Sequence, residues 1–171
     1  NVSFLAASGM AFGLLWHKEY CLGSMDLTQV NEHDLTIQYA FDWAGYDFEI
    51  INANNNYHTI KEKIVKAINE GIPVLAFGII GPPECSIITG YDEFGDVLIG
   101  WSHFQEWEAC EKENNGMFRK RNWFDNLWKI VITGEKVSKK RNIEDIIKRG
   151  LNIMEKSTCD GYTAGLKAYE E

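Results

Sequence analysis

The chain has 171 residues, 45% of them hydrophobic and 13% aromatic, which is enough to bury a core and excludes a disordered chain. Its 25 acidic residues outnumber 17 basic ones for a formal net charge of −8. Such a field repels phosphate backbones and anionic lipid, so no nucleic-acid and no membrane partner is expected.

In chain order, Ser8 to Trp16 is predicted to be a short buried helix, with Met10, Ala11, Leu14 and Leu15 at helical spacing and Ser8 capping its start. The first residues, Asn1 to Ser8, are apolar but lack a positive n-region and do not read as a signal peptide. After a loop from Cys21 to Val30, Asn31 is expected to cap a second helix. Leu35, Ile37, Ala40, Phe41 and Ala44 form its apolar side, and Gly45 ends it. Tyr46 to Ile51 reads as a strand. A third helix from about Thr59 to Glu70 turns Ile60, Ile64, Val65, Ala67 and Ile68 inward and stops at Gly71 and Pro73.

Val74 to Ile80, Cys85 to Tyr91 and Val97 to Trp101 read as consecutive strands. Gly81-Pro82-Pro83 joins the first two, and the turn Asp92 to Asp96 joins the last two. His103 to Asn126 reads as irregular, Lys129 to Thr133 as a strand, and Asn142 to Lys156 as an amphipathic helix. That helix is capped by Asn142, with Ile143, Ile146, Ile147, Leu151 and Met154 on its inner side. The basic residues Lys136, Lys139, Lys140, Arg141, Lys148 and Arg149 carry no interleaved aromatics and read as a solvated face. Helices, then antiparallel strands, then a helix predict a single α+β domain over residues 1–171, with a core at 5–135 and a helical extension at 142–171. The absent initiator Met and the uncapped pattern from Gly161 to Glu171 suggest a piece of a longer chain.

The four cysteines, Cys21, Cys85, Cys110 and Cys159, form no Cys-x-x-Cys pair, and the four histidines form no HExxH. No metal and no cofactor is therefore expected, and the composition suits a reducing cytoplasm.

The run from Ile60 to Trp101, with its helix, Gly71-Ile72-Pro73, two strands and Gly90-Tyr91-Asp92 before a third strand, resembles the second half of papain-like cysteine peptidases. It is most similar to the bacterial branch holding double-glycine-leader peptidases and the N-terminal domain of butirosin-type acyltransferases. Ser8-Gly9-Met10-Ala11-Phe12 resembles the helix start that carries the family's nucleophile, so the resemblance spans about residues 5 to 102. It implies a papain-like fold, with N-terminal helices packed on an antiparallel sheet. It also implies that the nucleophile position falls on Gly9, the His position on Glu84 and the orienting position on Trp101. A thiol nucleophile needs a base in reach and the base needs an orienting acceptor, and these three residues supply none of them.

Two readings follow. The first is a pseudoenzyme that binds a peptide or small ligand in the old cleft, at Ser8, Gly9, Met10, Trp101 and Phe104. The second is a hydrolase, peptidase or acyltransferase with a site rebuilt around Cys85, Glu84 and His103. In the second, Glu84 would raise the neighbouring thiol's pKa, so a cation from His17 or His103 would be required. Ser8 is a candidate nucleophile as well as a cap, and Glu84 a candidate lone general acid or base. His33 and His58 read as surface residues. Among the aromatics Trp16, Trp101, Phe104, Trp107, Trp123, Phe124 and Trp128, the residues Trp123 and Trp128 are expected to pin loops. Trp101 and Phe104 are open to either pinning or ligand contact.

Overall fold

The computed structural model describes residues 2–17, 33–54, 56–81, 84–106, 110–138, 141–159 and 161–171. Asn31, Cys21, Pro82, Pro83, Trp107, Lys139 and Lys140 lie outside them. Helices and antiparallel strands together make the chain α+β. It divides into two units: Asn1–Asp47 with Glu135–Glu171, and the continuous segment Phe48–Gly134.

The first unit opens with helix α1, Val2–Ser8. Ser8 therefore closes a helix, where the sequence predicts that it starts one. The Ser8 hydroxyl donates to the Leu5 carbonyl at 3.1 Å, a local bond that satisfies a helix-end acceptor. Gly9 follows with φ +89°, and a Cβ there would come within 2.6 Å of Ile153 Cδ1 and 2.7 Å of Arg149 Nε. The left-handed conformation breaks the predicted helix, leaving a 3-10 turn at Met10–Phe12 and a short strand β1, Leu15–Trp16. Helix α2, His33–Ala44, ends as predicted with Gly45, whose N–H donates to Phe41 O at 2.9 Å.

The last helix, α4, is Ile143–Glu155, and its start is fixed by a capping box. Asn142 accepts from Asp145 N, and the Asp145 carboxylate accepts from Asn142 N. Strands β9 (Thr158–Cys159) and β10 (Tyr162–Ala164) join β1 in a three-stranded antiparallel sheet, with Leu15 opposite Ala164. Leu15, Ile153 and Ala164 are the buried centre of this unit, with Phe12, Cys159 and Tyr162 against them. The C-terminal residues, read from sequence as an uncapped part of a helical extension, form β10 and a 3-10 turn, Gly165–Tyr169.

The second unit is built on a seven-stranded sheet. Its strands are β2 (Tyr46–Asn52), β3 (Val74–Phe77), β4 (Cys85–Asp92), β5 (Val97–Ser102), β6 (Glu111–Lys112), β7 (Phe118–Lys120) and β8 (Lys129–Lys136). They lie in the order β2-β8-β3-β4-β5-β7-β6. The region after His103, read as irregular from sequence, supplies two of them, because short edge strands with mixed polarity carry no alternating signal.

Helix α3, Tyr57–Asn69, is capped by Asn56, whose side chain accepts from His58 N at 2.8 Å. Its Ile60, Ile64 and Ala67 are buried with Val74, Ala76, Ile88, Leu98, Phe118 and Ile130 of the sheet. Period-3.6 spacing on the helix and period-2 spacing on the strands put these residues on facing surfaces. Each fully buried Ile contributes about 1.5–3 kcal/mol of transfer free energy.

Candidate functional site

Antiparallel pairing brings one end of several strands of this sheet together. Phe77, the last residue of β3, lies opposite both Cys85, the first of β4, and Lys129, the first of β8. Ser86 lies opposite Ser102, the last residue of β5, and Ile87 lies opposite Trp101. Glu84, Cys85, Trp101, His103, Phe104 and Trp128 therefore gather at this end of the sheet.

The backbone beyond β3 folds back here, with Gly78 N donating to Glu84 O at 3.2 Å and Trp128 N to Phe77 O at 2.9 Å. At Gly81 (φ +66°) a Cβ would come within 2.6 Å of Phe104 Cβ, so only glycine lets this loop close on the Phe104 side chain. Gly78, Gly81, Asp125, Asn126 and Trp128 line a recess of about 560 Å3. That size falls within the range of small-ligand sites. Trp128, expected as a buried pin, is 44% exposed, whereas Trp123 is 1% exposed and donates its indole N–H to Gly95 O at 3.0 Å. Trp101 is 49% exposed beside the exposed Ile87.

Cys85 is half-buried, and its thiol lies 3.7 Å from Ser86 O in donor geometry. Burial pushes the thiol up to about 12, and the negative charge of Glu84 adds to the shift. The direction agrees with the expectation drawn for a carboxylate neighbour. At neutral pH Cys85 is a thiol, a weak nucleophile. His103 is exposed and sits edge-on to Phe104 at 5.2 Å and to Trp101 at 6.5 Å. Ser86 turns the opposite way into the core, and its Oγ is fully buried with no hydrogen-bond partner among the described residues. Ser102 Oγ accepts from Phe104 N at 3.2 Å, tying the Phe104 turn to the end of β5.

No protein-family model, no curated protein and no solved structure matches this chain. The site is therefore read from its own residues.

Ser8, Gly9 and Met10, expected in the same cleft, belong to the first unit. Ser8 is 5% exposed, its hydroxyl donates to Leu5 O and its carbonyl accepts from Arg149 Nε at 3.2 Å. It closes a helix, whereas the sequence placed its candidate nucleophile at a helix start. Gly9 is packed against Ile153 and Arg149 of α4. Met10 is half-buried, its N–H directed to Ser8 Oγ at 3.4 Å. His17, suggested as a cation for Cys85, is in that unit too, with its ring 5.4 Å from Tyr162. His33, read as a surface residue, is 6% exposed at the start of α2, with Nδ1 3.5 Å from Asp34 Oδ1. His58 is exposed as expected.

Among the described residues no group of three or more His, Cys, Asp or Glu side chains is placed to hold a metal ion. Among them, no helix is long and apolar enough to cross a membrane. The signal that sequence reading missed is the Asp125-Asn126-Leu127-Trp128 stretch. Its polar residues and exposed Trp precede a strand by one turn, but only the sheet order puts them beside Gly78 and Gly81.

Proposed function

We propose that this chain is a papain-like domain with a substituted triad that binds a peptide or small ligand, at the sheet end formed by Gly78, Gly81, Asn126 and Trp128. The observation that carries this reading is the state of Cys85, whose burial and neighbouring carboxylate both favour the neutral thiol. A rebuilt thiol enzyme needs the opposite, a cation that stabilises thiolate. Binding is supported by a recess lined by an exposed indole and by the exposed residues Asp125 and Asn126, with Gly78 and Gly81 allowing the chain to pack closely beside them. A large flat aromatic flanked by a few polar groups is the usual composition of such sites. Ser8 and Gly9 are buried within their own unit and take no part in this proposal. A cytoplasmic setting belongs to the same reading, since the wide spacing of the four cysteines suits a reducing compartment.

The test is site-resolved alkylation across pH, read by mass spectrometry. Cys85 is expected to react more slowly than Cys110 and Cys159 at neutral pH and to accelerate only in strong alkali. Rapid Cys85 labelling near pH 6 would mean a stabilised thiolate and would sink the binder reading. Fragment and peptide titrations followed by amide shifts should then perturb Gly78, Gly81 and Trp128, and Trp128→Ala should abolish the response. Ligand shifts that avoid this end of the sheet would refute the siting.

A further inference from the structure

The segment that walls the recess at the sheet end is held from both sides by backbone bonds. Asn122 takes a left-handed turn at φ +51°, and its carbonyl accepts from Asp125 N at 3.3 Å. Phe124 O accepts from Leu127 N at 3.2 Å, and the Leu127 side chain is buried in the core. Trp128 donates its backbone N–H to Phe77 O at 2.9 Å and accepts from Ala53 N at 2.7 Å. Gly78 lies so close to the Asn126 carbonyl that a Cβ would come within 2.4 Å of that oxygen. The backbone beneath Asp125, Asn126 and Trp128 is thereby fixed.

Their side chains take no part in holding it. Asp125 and Asn126 are exposed, and Trp128 is 44% exposed. Among the described residues, none bonds to the Asp125 carboxylate, the Asn126 amide or the Trp128 indole N–H, and no aromatic ring packs on the indole. All of these groups line the same recess. Polar groups presented on a backbone that others immobilise are preorganised for a ligand.

The chemistry of the walls selects among ligand classes. No Lys or Arg lines the recess, and Asp125 would repel an anion. A hard metal ion requires more oxygen ligands than one carboxylate and one amide supply. A wholly apolar ligand would strip water from Asp125 and Asn126 and return no hydrogen bond. A simple organic cation would use the carboxylate alone, and an ion pair this exposed to water is weak. A polyhydroxylated ring uses every group. Each hydroxyl both donates and accepts, so neighbouring hydroxyls can donate to the Asp125 carboxylate while accepting from the Asn126 amide and the indole N–H. The axial C–H face of a pyranose is flat and faintly positive, and the face of an indole is flat and negative. A neutral sugar also meets no opposition from the chain's net charge of −8.

We propose that the recess binds a saccharide, a pyranose ring lying on Trp128 with its hydroxyls on Asp125 and Asn126. This rests on the reading that the sheet end binds a small ligand, and it names the class of that ligand. The recess volume of about 560 Å3 accommodates one or two sugar rings.

The probe is methyl β-glucopyranoside, whose equatorial hydroxyls leave both ring faces free to stack. It is compared in amide-shift titrations of the full chain with cyclohexanol, which lacks the neighbouring hydroxyls, and with cyclohexylammonium, which adds a positive charge. The glucoside is expected to give saturable shifts at the Trp128 indole N–H and at the Asp125 and Asn126 amides, and to bind about fivefold or more tightly than either control. Asp125→Ala should weaken the glucoside about tenfold and leave cyclohexanol unchanged. Trp128→Ala should weaken both. Both positions are exposed, and matching spectra of the unliganded variants check that the fold is kept. No saturable glucoside response, shifts centred elsewhere, equal or tighter binding of either control, or an unaltered Asp125→Ala affinity would each overturn the saccharide. The small-ligand reading outlives that result if a control, fragment or peptide still shifts Gly78, Gly81 and Trp128, and falls with it if none does.

Discussion

At the scale of single residues, the neighbours Glu84, Cys85 and Ser86 show how strand geometry assigns different fates to adjacent side chains. Cys85 lies beside a carboxylate and stays a thiol, while Ser86 turns into the core with its hydroxyl unpartnered among the described residues. A buried hydroxyl that makes no hydrogen bond loses its water and gains nothing in return. Ser86→Ala is therefore expected to be neutral or stabilising by up to about 1 kcal/mol, equivalent to about 2–4 °C in Tm for a chain of this size. A clear drop in Tm on thermal melting would mean that the hydroxyl has a partner.

At the scale of elements, α4 is the instructive case. Its capping box and length follow the sequence closely, but its inner face does not. The sequence puts Ile143, Ile146, Ile147, Leu151 and Met154 inward. In the structure Ile143, Ile147 and Leu151 are exposed, while Ile146, Arg149, Gly150 and Ile153 are buried. The helix has more apolar residues than one face can bury, and periodicity alone does not say which stripe wins. Packing against the Gly9 turn decides it: the bare Gly9 and Gly150 backbones let Ile153 and Phe12 approach, and Arg149 reaches Ser8 O and Thr36 Oγ1. Ile147→Lys and Leu151→Lys should each change stability by less than about 0.5 kcal/mol, as exposed substitutions do. Ile153→Ala should cost about 2–4 kcal/mol. Chemical denaturation of the three variants checks this, and the reverse order would restore the face expected from sequence.

At the scale of the whole molecule, pH links these local groups to global stability. The Cys85 thiol is raised from 9.0 to about 12, so the native state holds a proton that the unfolded state releases first. Its contribution is fully present below pH 9 and is lost as pH climbs toward 12. The slope is at most about 1.4 kcal/mol per pH unit. Cys85→Ala should therefore lose stability less steeply than the parent in this window, and parallel curves would contradict the assigned environment.

On the acid side, Arg119 lowers the pKa of Asp92, Arg121 that of Glu93, and Lys61 that of Asp96. Stability from these exposed pairs is present above the ordinary carboxylate range and fades as pH falls through it. All three acids cluster at the β4–β5 turn, so amide exchange there should rise first on acidification.

The sequence by itself determined the α+β class, the helix cap at Asn142, the break after α3, and the three consecutive strands β3 to β5. These are local matters of capping, turn chemistry and side-chain period, which a short stretch of chain encodes on its own. It also put Glu84 and Cys85 side by side and gave the sign of their interaction, because the two residues are covalent neighbours. Only the tertiary structure decided that β8 pairs with β3, that the chain's two ends share a unit, and that Asp125 and Trp128 lie beside Gly78 and Gly81. Those outcomes depend on which of several apolar surfaces meet across long stretches of chain. That is a choice among packings of similar hydrophobic gain, which no window of sequence contains.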